Sequence, residues 1–137
     1  MTPDPWTTIE PPDLATIEAL AEAAIAALPD AYRAAAKAVQ LRVDDFPDDD
    51  LMAEMDIDDR FELTGLYDGT PLTEKSVMDQ PQRPDAIWLF RRPILDEWLE
   101  RGNVTLGDLV THVLVHELAH HFGWSDADIA AIDPWWE

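Results

Sequence analysis

The sequence predicts one compact domain that combines several helices with three short strands. A chain of 137 residues can bury one hydrophobic core but not two. A hydrophobic content of 47%, with six tryptophans, excludes a disordered acidic tail. In some segments apolar residues recur every three or four positions, as in a helix, and in others every second position, as in a strand. The two kinds of segment alternate along the chain. Residues 1–12 contain four prolines and are expected to form an extended lead-in to a domain at 13–137.

The first part of the domain is predicted to form two helices and a strand. Apolar residues recur every three or four positions over Leu14–Leu28, which indicates an amphipathic helix that Pro29 ends. A shorter helix is expected at Asp30–Ala38. Apolar and polar residues then alternate over Val39–Val43, the pattern of a half-buried strand.

The middle of the chain is predicted to contain an acidic loop and two further strands. Nine acidic residues and no basic residue lie from Asp44 to Asp59, which predicts a solvated loop with a short helix at Asp50–Met55. This run lacks the glycine that a DxDxDG calcium loop needs at its bend, so no metal is assigned to it. The strands are expected at Phe61–Tyr67 and Ala86–Phe90.

One long helix dominates the C-terminal part of the prediction. Apolar side chains form a wide face over Leu106–Phe122, preceded by the capping residue Thr105 and followed by Gly123. Shorter helices are expected on either side, at Pro93–Leu99 and Asp126–Ile132. The long helix is therefore the predicted centre of the domain.

Charge and composition exclude several classes of function. Nine basic residues against 29 acidic residues give a formal net charge of −20. Nucleic acids and anionic membranes are not expected partners, because both need clustered basic residues. The chain has no cysteine, so any metal must be bound by His, Asp or Glu. Neither a signal peptide nor a membrane span is predicted, which favours a cytoplasmic protein. The sequence does not give the oligomeric state, and a monomer is the default expectation.

The long helix contains the motif HExxH, formed by His116, Glu117 and His120. Residues four apart share one face of a helix, so both imidazoles can bind one ion and the neighbouring Glu can contact a water bound to it. Zinc suits such ligands and lowers the pKa of its water toward about 7. The pattern therefore predicts metal-assisted peptide hydrolysis with Glu117 as general base. The competing interpretation is that the histidines are ordinary core or surface residues.

The residues after the motif suggest a third ligand. Asp126 follows Gly123 by three positions and is the favoured candidate, with Asp128, Asp133 or a water molecule as alternatives. A straight helix would carry Asp126 to another face, so Gly123 must break the helix, for example with a positive φ. Gly123 as an ordinary helix cap and Asp126 as an ordinary first-turn acid remain the alternative.

Three stretches of the sequence resemble the small bacterial zincin-like metallopeptidases, also called minimal zincins. These are HVLVHELAHHFGWSD, GLYDGTPLTE at Gly65–Glu74 and LFRRPILDEW at Leu89–Trp98. The resemblance implies an α+β domain, with a small mixed sheet packed on helices and the HExxH motif on a central active-site helix. It also implies a peptidase whose natural substrate is not settled.

Carried over by position, the resemblance makes His116 and His120 zinc ligands, Glu117 the catalytic base and Asp126 the carboxylate after the glycine. The related metzincins usually have a third His where this chain has Asp126, followed by a turn that contains Met. This difference predicts a shallow cleft, and with it proteolysis that is slow, limited to particular peptides or absent.

Other residues near the motif are weaker candidates. His112 lies one turn before His116 and could donate to an oxyanion or bind a second ion, but is more often a supporting or packing residue. His121 is expected to be solvated or to support a ligand. Tyr67 is a candidate oxyanion donor or supporting residue. The pair Arg91 and Arg92 could mark an edge strand that binds a peptide, although the favoured interpretation is that they neutralise nearby acids.

Two functions follow from these observations. The first is a zinc-dependent peptidase that acts on short or unfolded peptides. The second is a protein-interaction or regulatory module that binds zinc without turnover. An intact Glu117 favours the enzyme, because a purely structural zinc has four protein ligands and needs no base. A third possibility is an acidic binding module without metal.

Overall fold

The computed structural model of the chain describes residues 11–69 and 85–123, which form an α+β fold. These residues contain five helices and three strands, in the order α1 (Leu14–Ala26), α2 (Asp30–Lys37), β1 (Gln40–Asp44), α3 (Asp49–Glu54), β2 (Gly65–Asp68), β3 (Ala86–Phe90), α4 (Arg91–Arg101) and α5 (Leu106–His121). All eight elements were expected near these positions, including the short helix α3 in the acidic run. No helix among the described residues is long and apolar enough to cross a membrane.

The three strands form a mixed sheet in the order β1-β3-β2. β1 pairs with β3 in parallel, with Val43 opposite Leu89. β2 pairs with β3 in the antiparallel direction, with Tyr67 opposite Ile87. The central strand β3 is the most buried of the three, in keeping with its almost entirely apolar sequence.

The core lies between α1, α5 and the sheet. Ile17 and Ala21 of α1 are fully buried, as are Leu109 and Val110 of α5. α5 also contacts α4, β2 and β3, so it is the central helix that the apolar face predicted. Burial of its wide apolar face is what fixes the orientation of the remaining side chains of α5.

Polar side chains and glycines define the ends of the main helices. The Oδ1 atom of Asp13 accepts a hydrogen bond from the Thr16 amide at 2.8 Å, and the hydroxyl of Thr105 accepts one from the Asp108 amide at 3.1 Å. These bonds satisfy amides that have no partner within the helix. After α5, Gly123 has a φ of 86°, a left-handed conformation that agrees both with the expected break in the helix and with an ordinary helix cap.

Four elements begin at other residues than predicted: β1 and α3 differ by one residue each, α4 by two and β2 by four. β2 begins at Gly65 rather than Phe61, because Phe61 turns back on Asp59, whose Oδ1 accepts a hydrogen bond from its amide at 3.0 Å. α4 begins at Arg91, with Pro93 inside its first turn, where a missing amide hydrogen costs nothing. The predicted lead-in up to residue 10 and the predicted helix Asp126–Ile132 lie outside the described residues.

The interpretation of Arg91 and Arg92 as markers of an edge strand is wrong. They follow β3, which is paired on both sides and cannot add another strand. The Nε atom of Arg91 donates to Asp45 Oδ1 at 2.6 Å, and the Arg92 guanidinium lies 5.6 Å from the centre of the Phe46 ring. The favoured alternative is confirmed for Arg91, which neutralises an acid of the run after β1.

Candidate metal centre

α5 brings His116, Glu117 and His120 together on one side of the helix. The two Nε2 atoms are 3.3 Å apart, and one possible ligand atom from each residue lies within 4.8 Å of the others. All three side chains are half-buried, so they are accessible to solvent while held by the helix. Two imidazole nitrogens and a carboxylate at these distances can hold a metal ion.

Gly65 allows β2 to pass close to this group. A Cβ atom at Gly65 would lie 2.7 Å from Val113 Cγ1 and 3.3 Å from Glu117 Cγ. It would also lie 3.2 Å from the backbone oxygen of Trp88, so neither the sheet nor the helix leaves room for it. The glycine therefore lets the side chain of Glu117 pack directly against the start of β2.

A partly buried polar cluster lies beside the group, where β2 meets the end of α5. The hydroxyl of Tyr67 donates to Asp85 Oδ2 at 2.8 Å and lies 2.9 Å from His121 Nδ1. His121 Nδ1 is also 3.2 Å from Asp85 Oδ2. Burial raises the pKa of the Tyr67 hydroxyl above its usual range, and the hydrogen bond to Asp85 raises that pKa further.

His121 is not solvated, although its place near the end of α5 allowed that expectation. It is 3% exposed because it faces β2 rather than solvent. The other expectation for His121, a supporting role, agrees with its contacts to Tyr67 and Asp85. The hydrogen of the Tyr67 hydroxyl is directed to Asp85, which favours a supporting role for Tyr67 over oxyanion donation.

The remaining candidates are placed in part. His112 is half-buried, and its ring centre is 6.3 Å from that of His116, so it neighbours the group without joining it. Asp126 and its alternatives Asp128 and Asp133 lie outside the described residues.

Sequence reasoning missed Gly65 and Asp85. Gly65 is recognisable only once β2 is known to cross α5. Asp85 directly precedes β3, but its approach to Tyr67 and His121 depends on the register of the sheet. No local pattern in the sequence gives that register.

Fold and site together define a class of protein: an α+β domain that presents an HExxH group from a central helix packed on a small mixed sheet. The comparison with known families agrees with this class. Residues 36–136 match the family of zincin-like metallopeptidases, which is well over half of the chain, so the protein belongs to that family. No curated protein matches the chain significantly.

Proposed function

We propose that the protein is a zinc-dependent peptidase, with His116 and His120 as zinc ligands and Glu117 as the general base. The observation that carries the proposal is the 3.3 Å separation of the two imidazole Nε2 atoms beside the Glu117 carboxylate. Membership of the zincin-like metallopeptidase family supports it. The substrate is a peptide or protein segment, since the strongly negative charge disfavours polyanions.

The donor atoms of His116 and His120 fit zinc in type and spacing. Imidazole nitrogens bind tetrahedral zinc at about 2.0–2.1 Å, which separates two of them by about 3.3 Å. The Nε2 atoms of His116 and His120 have this separation. A catalytic zinc has three protein ligands and one open position. Asp126 is the proposed third ligand, with Asp128 and Asp133 as alternatives, and the left-handed turn at Gly123 supports a return of the chain toward the histidines.

The chain's own residues supply the proton transfers of peptide hydrolysis. When bound, zinc lowers the pKa of a coordinated water and polarises the scissile carbonyl. Glu117 accepts the proton of the attacking water and donates it to the nitrogen of the leaving amine. Packing against Gly65 restricts where the Glu117 side chain can lie, which favours a defined position for the base.

The first test is metal content. Protein purified without a histidine tag should contain about one zinc per chain, because a catalytic site holds a single ion. His120→Ala and Asp126→Ala should lose that zinc. If zinc is still not bound when it is supplied in excess, the proposal is wrong.

The second test separates binding of zinc from turnover. Glu117→Gln should retain zinc but cleave a peptide library about 10²–10⁴-fold more slowly than wild type, the usual contribution of a general base. Glu100→Gln, the same change on the exposed side of α4, is the control and should cleave normally. Zinc binding without any cleavage by wild type would instead indicate a module that binds zinc without turnover.

A further inference from the structure

β2 runs along α5 with matching spacing. Glu117 and His121 are one helical turn apart, which is about 6 Å along the axis. Gly65 and Tyr67 lie on one face of β2, about 6.7 Å apart. Gly65 packs against Glu117 and Tyr67 contacts His121, so the strand and the helix stay aligned over this distance.

The hydrogen bonds among Tyr67, Asp85 and His121 have one consistent arrangement. The ionised carboxylate of Asp85 can only accept, and it accepts the single hydroxyl hydrogen of Tyr67. The hydrogen between Tyr67 and His121 must then come from His121 Nδ1. The same Nδ1–H can also be shared with Asp85 Oδ2 at 3.2 Å. The cluster is thus a cycle in which each close polar contact has a donor and an acceptor.

The Asp85 and His121 side chains of the cycle are largely buried, and Asp85 is sterically confined. The side chain of Asp85 is 10% exposed and that of His121 is 4% exposed, so water cannot readily take the place of either partner. Gly69 closes in on the other side, because a Cβ atom there would lie 2.5 Å from Asp85 Cγ and Oδ1. The position of the Asp85 carboxylate therefore depends on the absence of a side chain at Gly69.

We propose that Tyr67, Asp85 and His121 form a positioning network, which fixes the last turns of α5 on β2 and thereby sets the positions of His116, Glu117 and His120. The network touches no reacting atom. Its consequence for metal binding and catalysis rests on the proposed function of those three residues. The effect of the network on the position of α5 does not rest on that proposed function. The network and the proposed function can therefore be tested separately.

The test compares the two tyrosines of the chain. Tyr67→Phe removes the hydroxyl of the network, and Tyr32→Phe makes the same change on an exposed residue whose ring packs on Phe122. In metal-free protein, Tyr67→Phe should speed amide hydrogen exchange at the end of α5 and leave α1 unchanged. In folded protein it should also weaken zinc binding about 10–100-fold, as loss of groups that orient ligands does. Tyr32→Phe should do neither.

A second variant perturbs the network without removing any of its atoms. Gly69→Ala should displace Asp85 and reproduce the effects of Tyr67→Phe, whereas Gly107→Ala has room for its Cβ, 3.6 Å from Leu20, and should not. Equal acceleration of exchange in α1 and α5 would show general destabilisation and overturn the proposal. So would unchanged zinc affinity in Tyr67→Phe when wild type binds zinc. If wild type binds no zinc, the proposed function fails, but hydrogen exchange still tests the network. Faster exchange in Tyr67→Phe that is confined to the end of α5 would support the network, and unchanged exchange there would overturn it.

Discussion

Gly65 is a residue at which the backbone of the sheet comes close to Glu117 of the HExxH group. Its neighbours are Val113 and Glu117 on α5 and the backbone of Trp88 on β3. Both sides are parts of the packed core, so neither can move away cheaply. The absence of a Cβ atom at Gly65 therefore determines how near β2 lies to Glu117.

We expect Gly65→Ala to lower the free energy of unfolding by about 1–3 kcal/mol, the usual cost of overpacking. Gly107→Ala is the control, because its Cβ meets Leu20 at an ordinary 3.6 Å. It should be neutral or stabilise the protein by up to about 1 kcal/mol through better helix propensity. Urea unfolding of both variants checks the difference, and equal effects would contradict the packing argument.

The stability of the protein should depend on the ionisation of Tyr67 at high pH. The pKa of Tyr67 is raised in the folded state by burial and by its bond to Asp85, whereas an unfolded tyrosine titrates near 10. The unfolded state therefore loses this proton first. Below pH ~10 the contribution of Tyr67 is fully present, and it falls as pH rises from there toward the folded pKa.

Urea unfolding between pH 9 and 11 checks this dependence on wild type and Tyr67→Phe. The loss of stability with pH should be steeper in wild type, because Phe has no proton to lose. Tyr32→Phe serves as the control and should keep the steep dependence. Parallel curves for wild type and Tyr67→Phe would show that the hydroxyl titrates alike in both states.

At the scale of elements, α5 serves both the core and the site. Its buried residues alternate with the residues of the HExxH group, since Leu118 and Ala119 are buried between Glu117 and His120. All four histidines of the chain lie in this helix. A rotation of α5 about its axis would expose apolar surface, so packing of the core fixes the side of the helix on which each histidine lies.

The start of α5 offers a test of its contribution to stability. Thr105→Ala removes the hydroxyl that accepts a hydrogen bond from the Asp108 amide, and it should lower the free energy of unfolding by about 1 kcal/mol. Thr111→Ala is the control, because the Thr111 hydroxyl bonds back to the Gly107 carbonyl, a contact that adds little to a helix. Thermal unfolding of the two variants should rank them in this order, and a larger loss for Thr111→Ala would contradict it.

The sequence allowed the helices and strands to be predicted because their apolar periodicity is local. The same holds for His116, Glu117 and His120, whose geometry follows from one helical turn. The contacts of Gly65 and Asp85 were not predictable, since they depend on how β2 pairs with β3 and crosses α5. The limit of β2 was also missed, because the turn at Asp59–Phe61 outweighs the strand propensity of the residues around it.

At the scale of the whole molecule, acidic residues far outnumber basic residues. The nine basic residues of the chain can offset at most nine of its 29 acidic residues, which leaves the formal net charge of −20. Most of the acidic charge is therefore balanced by solvent and counterions. Repulsion of this kind opposes the compact state.

Salt should therefore stabilise the protein. Raising sodium chloride from about 10 mM to 150 mM shortens the Debye length from about 30 Å to 8 Å, so repulsion between distant carboxylates falls. We expect a higher Tm, measured by circular dichroism. Tetramethylammonium chloride at the same ionic strength is the control for specific binding of sodium and should have the same effect. A lower Tm in both salts would mean that ion pairs outweigh the repulsion.

The parallel pairing of β1 with β3 joins strands that are distant in the chain, Gln40–Asp44 and Ala86–Phe90. During synthesis the N-terminal strand leaves the ribosome first, and its partner follows much later, with α5 behind it. Until α5 has emerged, the nascent chain lacks both its central core helix and all four histidines. Any hydrolytic activity of His116, Glu117 and His120 therefore requires that α5 has emerged, and a nascent chain that still lacks α5 cannot cleave its neighbours.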